Sequence, residues 1–174
     1  MKTSSSYVPG AAEMQLGDEV GFSLYATSLA MTKSYRPLLE PLGLTYPQYI
    51  AMLSLWKSDE VTVKALSTRL SLDPATLTPL LKRLESQGLV SRTRGVTDER
   101  LVFIHLTAKG DLLRRQAALI PAAITGATGQ TSEVLLRLKR DLDQLRSMLY
   151  GMTVLLESLP TALADQAAQP ERQR

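Results

Sequence analysis

Hydrophobic residues recur at helical spacing through most of this chain, and between residues 74 and 87 that spacing is most regular. Leucines there stand at i, i+3, i+4 and i+7, which places them on one face of a helix. Asp73 can cap the start of this helix, and Gly88 can end it. The leucines that the pattern predicts to be buried are Leu77, Leu80, Leu81 and Leu84.

A shorter helix is predicted immediately before this one, and a β-hairpin immediately after it. Thr62 can cap a helix over residues 63–70, and the three residues 71–73 separate the two helices. Apolar and polar residues then alternate along two runs, residues 90–94 and 102–106. Two helices around a short turn, followed by a hairpin, predict a winged helix-turn-helix, in which the second helix enters a DNA groove.

The face of residues 74–87 opposite the leucines carries small, hydroxylated and basic side chains. Small residues let a helix approach base edges, and hydroxyl and cationic groups bind bases and phosphates. Pro79 removes one helical hydrogen bond and predicts a slight bend. An ordinary amphipathic helix with a solvated face has the same pattern, so the interpretation depends on the flanking elements. The residues that we predict to contact DNA from this helix are Thr76, Thr78, Lys82 and Arg83.

Basic residues are concentrated in the same segment. Between residues 61 and 107, seven lysines or arginines stand against four acids, and this excess equals the net charge of +3 of the whole chain. A positive surface attracts the phosphate backbone of nucleic acids. Arg92, Arg94 and Arg100 surround the predicted hairpin tip, where they suit a wing that contacts the DNA backbone or minor groove. A solvated hairpin with ordinary surface charges is the alternative.

The remaining pattern predicts helices for dimerisation. We expect a first helix over residues 16–38 and a second that begins near Pro47. A third helix is expected over residues 108–124, and a break over residues 125–130 precedes a last helix that ends at Pro160. The residues of the second and third helices that could face the core are Tyr49, Ile50, Leu53, Trp56, Leu112, Leu113 and Leu119.

The last helix has an apolar residue at every third or fourth position, from Val134 to Leu156. Such a stripe must be buried, by a second copy of the chain or by packing within one chain. The fold class is therefore expected to be mainly α with a small β-hairpin wing, in an intertwined helical homodimer. The expected organisation is a flexible segment 1–12, a dimerisation segment 13–45, a DNA-binding domain 46–107, dimerisation helices 108–159 and a flexible tail 160–174.

Residues 70–110, LSLDPATLTPLLKRLESQGLVSRTRGVTDERLVFIHLTAKG, resemble the core of MarR-family transcription regulators. The wing motif Asp-Glu-Arg at 98–100 and the exit Leu-Thr-Ala-Lys-Gly at 106–110 are both typical of that family. Residues 22–56, FSLYATSLAMTKSYRPLLEPLGLTYPQYIAMLSLW, are similar to one branch, the organic hydroperoxide resistance regulators. The resemblance implies an obligate homodimer that represses by binding double-stranded, pseudo-palindromic operator DNA.

Positional roles also follow from the resemblance. It implies that Thr76 and Thr78 contact the major groove from the second helix. It implies that Arg94 and Arg100 contact DNA from the wing, and that Asp98 holds the wing arginine in place.

The chain departs from this branch at the position of its peroxide-sensing cysteine, which here is Gly21. There is no cysteine anywhere in the chain, and a thiolate is the group that attacks a hydroperoxide. Two tyrosines that surround the sulfur in that branch resemble Tyr25 and Tyr35. They could form a pocket for a reversible, partly apolar ligand, or they could be packing residues. A third possibility is that Gly21 was introduced deliberately to disable sensing.

Composition excludes several other classes of protein. The absence of cysteine excludes disulfides and thiolate catalysis, and a single histidine, His105, makes a histidine metal site or a catalytic triad unexpected. We therefore expect no enzyme activity and no cofactor. No apolar run is long enough for a membrane span, and no signal-peptide pattern is visible, so a cytoplasmic location is expected. A constitutive regulator without a signal and a winged-helix protein-interaction module remain alternatives.

Overall fold

The computed structural model describes residues 19–157, so the predicted flexible segments 1–12 and 160–174 lie outside the described residues. The predicted start of the first helix, residues 16–18, also lies outside them. The chain divides into two compact units, residues 1–124 and 125–174. The elements are α1 (Val20–Leu39), α2 (Tyr46–Lys57), β1 (Val61–Thr62), α3 (Val63–Leu70), α4 (Pro74–Ser86), β2 (Val90–Arg94), β3 (Val102–Leu106), α5 (Ala108–Ala117), α6 (Ile120–Ala127) and α7 (Ser132–Glu157), with a short 3-10 turn at Glu40–Leu42.

Helix α2 lies at the centre of the first unit. Thr45 and Gln48 form a capping box at its start, in which the Gln48 Oε1 accepts from the Thr45 amide at 2.8 Å. Tyr49 and Trp56 are buried as expected, but Leu53 is 42% exposed, which corrects its predicted place in the core. The other buried apolar residues of this helix are Ala51, Met52 and Leu55.

The winged helix-turn-helix forms as predicted. Thr62 caps α3 by accepting from the Ala65 amide, and Asp73 caps α4 by accepting from the Thr76 amide. Gly88, with φ of 70°, ends α4 in the left-handed conformation that glycine adopts without steric cost. The predicted stripe Leu77, Leu80, Leu81 and Leu84 is buried.

The sheet has three strands rather than the two of the predicted hairpin. It is antiparallel in the order β1-β3-β2, and Val61 of β1 stands opposite Ile104 of β3. Strand β1 is only two residues long, too short for its alternation to be read from the sequence. The sheet closes the core because Val61, Val90 and Ile104 are all buried.

The single helix predicted over residues 108–124 is wrong, because the segment forms two helices, α5 and α6. Pro121 has no N–H to continue the helical ladder, and the break falls just before it. Two predicted inward positions are also wrong, since Leu112 and Leu119 are 56% and 77% exposed. Leu113 does pack against the core, whose other members on this segment are Ala117, Ile120 and Ile124.

The apolar residues of α1 and α7 are largely exposed in the single chain. On α1 these include Val20 and Leu29, and on α7 they include Leu138, Leu142 and Leu149. Helix α7 begins at Ser132 and is continuous to the end of the described residues. Leu156, the last residue of the predicted apolar stripe, lies outside the residues whose side chains are described. A stripe that remains exposed in one chain is the pattern expected of a surface that a partner covers.

Candidate nucleic-acid interface

The solvent face of α4 presents the side chains that the sequence predicted as helix contacts. Thr76, Thr78, Lys82 and Arg83 are all exposed, and the leucines on the opposite face hold the helix to the core. Pro79, also exposed, lies between them inside the helix. The structure therefore places a polar and basic surface, uninterrupted by large apolar groups, on one side of a fixed helix.

The hydroxyls of the two threonines already take part in local hydrogen bonds. Thr76 Oγ1 donates to Asp73 Oδ2 at 2.7 Å, and Thr78 Oγ1 donates to the Pro74 carbonyl at 2.7 Å. These hydrogen bonds from Thr76 hold the pKa of the Asp73 carboxyl below its usual value. Each hydroxyl oxygen still has lone pairs with which it can accept a bond from a base amino group.

The wing is a tight turn between β2 and β3. The Gly95 amide donates to the Leu101 carbonyl at 2.8 Å, and the Leu101 amide donates to the Asp98 carbonyl at 3.0 Å. Arg94 and Arg100 are exposed on either side of this turn, and neither forms an ion pair with any residue between 19 and 157. Both guanidinium groups are therefore available to phosphates or groove edges.

Asp98 holds the wing through the main chain. Its Oδ1 accepts from the Arg100 amide at 2.9 Å, which fixes the backbone of that arginine and leaves its guanidinium group without a carboxylate partner among the described residues. The role implied by the family resemblance, that Asp98 holds the wing arginine in place, stays a prediction, since the contact observed is with the main chain of Arg100.

Arg92 does not lie free at the wing tip. Its Nε donates to Glu85 Oε2 at 2.8 Å, so strand β2 is joined to the last turn of α4. This hydrogen bond lowers the pKa of the Glu85 carboxyl. Arg92 therefore connects the wing to α4 and differs from Arg94 and Arg100, which face solvent.

A junction that the sequence did not predict fastens the end of α4 to the start of α5. The Thr107 amide and hydroxyl donate to the Leu89 and Gly88 carbonyls at 3.1 and 2.6 Å. A Cβ on Gly110 would come within 2.0 Å of the Leu89 carbonyl oxygen, so only glycine fits there. Trp56 Nε1 donates to the Gly110 carbonyl at 2.9 Å, which adds α2 to the same junction.

The predicted sensor residues do not form one pocket within a single chain. All three lie on α1, and Gly21 and Tyr35 are about 21 Å apart at a rise of ~1.5 Å per residue. Tyr25 is 63% exposed, and Gly21 has no other group within 4 Å of where a Cβ would stand. A site that contains all three would need residues from a second copy of the chain.

Tyr35 belongs to an aromatic cluster with two tyrosines that the sequence analysis had not connected to it. Its ring centroid is 4.6 Å from that of Tyr46 and 5.8 Å from that of Tyr49. A groove of about 640 Å³ lies beside Tyr46 and is also lined by Lys33 and Arg36. Burial, with a smaller effect from Tyr46, raises the pKa of the Tyr35 hydroxyl.

A second cavity, of about 320 Å³, lies between α2 and α5. Tyr49, Leu53 and Trp56 line it, and the cations Lys57 and Arg114 also border it. The Tyr49 hydroxyl is buried and has no hydrogen-bond partner among the residues that the structure describes. Burial raises the pKa of this hydroxyl, and a phenol can act as a donor or an acceptor.

Within residues 19–157, no three acidic, histidine or cysteine side chains come together as a potential metal site. No helix within the same range combines the length and the apolar character that crossing a bilayer requires.

Comparison with known proteins identifies the family of this chain. Residues 33–114 match a family described as transcriptional regulator SarA/Rot. The chain is 49% identical over 146 residues to the organic hydroperoxide resistance transcriptional regulator of Bacillus subtilis, a match that covers 84% of this chain and 92% of that protein.

Solved structures show the same arrangement of elements. Reduced AbfR bound to DNA is 29% identical, with a TM-score of 0.69 over 79% of this chain and 94% of that one; AbfR is a protein of Staphylococcus epidermidis. CouR from Rhodococcus jostii, bound to p-coumaroyl-CoA, is 25% identical, with a TM-score of 0.65 over 76% of this chain and 95% of that one.

Proposed function

Because this chain belongs to the MarR/SarA family of winged-helix, DNA-binding transcription regulators, we propose that it acts as a repressor whose homodimer binds pseudo-palindromic operator DNA. In this proposal α4 enters the major groove, where Thr76 and Thr78 contact bases. Lys82 and Arg83 contact phosphates, and the wing places Arg94 and Arg100 at the minor groove. The observation that carries the proposal is the exposure of these polar and basic side chains on α4 and the wing, where neither Arg94 nor Arg100 forms an ion pair with a described residue.

A homodimer is proposed because α1 and α7 each leave apolar side chains exposed. Tyr25 and Leu29 are exposed on α1, and Leu142 and Met152 are exposed on α7. Apolar side chains that are exposed on a helix are stabilised by burial against a partner. A two-fold dimer presents two recognition helices, and these reach successive major grooves when they are about 34 Å apart.

Cysteine-based peroxide sensing is proposed to be lost. The Bacillus subtilis relative is named for organic hydroperoxide resistance, whereas this chain has no cysteine. A regulator without a thiolate has no group that reacts rapidly with a hydroperoxide. We expect operator binding to persist in the presence of an organic hydroperoxide.

The test is fluorescence anisotropy of the full chain on DNA from upstream of its own gene, measured over a range of salt concentrations and then with peroxide. Arg100→Ala should weaken binding by about 1–3 kcal/mol and reduce the salt slope by about 1. Arg115→Ala, a change on α5 outside the proposed DNA and dimer contacts, is the matched loss of one exposed arginine and should leave both quantities unchanged. Salt-independent or undetectable DNA binding would refute the proposal and favour the interaction-module alternative.

A second candidate function, regulation by a reversible small ligand, is supported by the cavity between α2 and α5. That cavity combines an apolar lining, the two cations Lys57 and Arg114, and a Tyr49 hydroxyl that has no partner within the described part of the chain. CouR, a solved neighbour, binds p-coumaroyl-CoA. A thermal-shift screen of aromatic acids and phenols against the wild type and Tyr49→Phe tests this candidate. Stabilisation of the wild type that Tyr49→Phe reduces would support it, and no shift with any compound would count against it.

A further inference from the structure

The hydroxyls of Thr76 and Thr78 are both committed as hydrogen-bond donors before any DNA is bound. Thr76 Oγ1 lies 2.7 Å from Asp73 Oδ2, and Thr78 Oγ1 lies 2.7 Å from the Pro74 carbonyl oxygen. A carbonyl and an ionised carboxylate can only accept, so each hydroxyl hydrogen must lie in its bond within α4. Both threonines are exposed, and each therefore presents only oxygen lone pairs to solvent.

Asp73 holds the Thr76 hydroxyl more firmly than a neutral acceptor would. Its Oδ1 accepts from the Thr76 amide at 2.9 Å, while its Oδ2 accepts from the hydroxyl of the same residue. The hydrogen bond from this hydroxyl lowers the pKa of the Asp73 carboxyl, which is thus ionised at neutral pH. A hydrogen bond to an ionised acceptor is stronger than one to a neutral base. Turning the hydroxyl outward as a donor would therefore exchange a stronger bond for a weaker one.

We propose that Thr76 and Thr78 read the operator as hydrogen-bond acceptors, and that Asp73, without touching DNA, imposes this role on Thr76. The inference rests on the proposed function. In the major groove, adenine and cytosine present an amino group, whereas guanine and thymine present a keto oxygen. Each base pair has one base of each kind, so an acceptor decides which of the two must stand beside the threonine. Asp73 is thus a positioning residue that determines sequence preference.

The variant Asp73→Asn tests this role because it reverses the direction of one hydrogen bond. Asparagine is as good a helix cap as aspartate, and the Thr76 amide requires the one oxygen of the asparagine side chain. The NH2 group then stands beside the Thr76 hydroxyl, which must accept from it and direct its own hydrogen outward. The preference at the base pair that Thr76 contacts should change from an amino base to a keto base. Thr78 bonds to Pro74 instead and should keep its preference, which makes it the matched internal control.

The measurement is fluorescence anisotropy of the full chain on DNA from upstream of its own gene, with the base pairs of the bound site inverted one at a time. Thr76→Val and Thr78→Val remove the hydroxyls and identify the base pair that each threonine discriminates. Placing the keto base beside Thr76 should weaken wild-type binding roughly three- to tenfold, and the preference should reverse in Asp73→Asn.

A second measurement needs only the wild type, so it decides the matter even if Asp73→Asn fails to fold. Replacing the selected adenine with purine, or the selected cytosine with 2-pyrimidinone, removes the amino group and should weaken binding by a similar factor.

Four results would overturn the inference. They are a wild-type preference for the keto base beside Thr76, no loss of affinity when the amino group is removed, an unchanged preference in Asp73→Asn, and an equal change beside Thr78 in that variant. Each of them leaves DNA binding, and hence the proposed function, intact. Failure of the wild type to bind the DNA would overturn both.

Discussion

Replacing Gly110 with alanine tests the junction between the recognition helix and α5. The added Cβ would stand 2.0 Å from the Leu89 carbonyl oxygen and 3.0 Å from its carbonyl carbon. The obstacle is backbone, so no side-chain rotation can relieve the contact. Helix α5 and the segment after α4 would have to separate, which would strain the hydrogen bonds that Thr107 and Trp56 make across the junction.

Two opposing effects decide the sign of this change. Alanine in a helix is normally more stable than glycine by about 0.5–1 kcal/mol, whereas overpacking costs about 1–3 kcal/mol and occasionally more. A contact of 2.0 Å lies far inside the usual range, so the steric cost should prevail. We expect Gly110→Ala to lower the free energy of unfolding by about 1–3 kcal/mol.

Urea denaturation at a fixed protein concentration measures this effect, because the midpoint of a dimer depends on concentration. The matched control is Gly126→Ala on α6, where nothing lies within 4 Å of the added Cβ. That variant should unfold at or slightly above the wild-type midpoint. If Gly110→Ala also unfolds at or above the wild-type urea midpoint, and binds operator normally, the reasoning about the junction is refuted.

Three further predictions concern stability and assembly. Trp56→Phe removes the donor to the Gly110 carbonyl and should cost about 1–3 kcal/mol in urea denaturation; an unchanged midpoint would contradict this. Because the hydrogen bond from Arg92 lowers the pKa of Glu85, the pair adds stability above the ordinary carboxyl value of 4.5 and loses it as the pH falls through the lowered pKa. Glu85→Gln should therefore reduce the loss of stability on acidification, and an acid profile that matches the wild type would argue against the pair. Leu142→Glu should shift sedimentation toward the monomer and weaken operator binding, whereas a stable dimer with normal affinity would count against an α7 interface.

The recognition helix was predictable because all its determinants are local. The cap at Asp73, the leucine spacing and the stop at Gly88 lie within a few residues of the helix that they define. The break before Pro121 was missed, although its signal was also local, since proline cannot continue the hydrogen-bond ladder. Leu119 was misplaced because it lies in that break, whereas Leu112 lies before it on α5, where the adjacent Leu113 packs against the core instead.

Contacts between distant residues were not predictable from spacing. Strand β1 is defined by its pairing with β3, about forty residues later, and not by its own two-residue pattern. The junction at Gly110 likewise depends on the approach of Leu89 and Trp56 from other elements. Arg92 resembled the other wing arginines in the sequence, and only the position of Glu85 distinguishes it.

The sequence by itself determined the winged helix-turn-helix, its basic surface and the lack of a thiol for peroxide sensing, because caps, periodicity and residue chemistry are local properties. The tertiary structure decided which arginines are available to DNA, how α4 is fastened to α5, and that Gly21, Tyr25 and Tyr35 do not meet within one chain. Those outcomes depend on which residues the fold brings within a few ångströms of each other, and linear spacing does not contain that information.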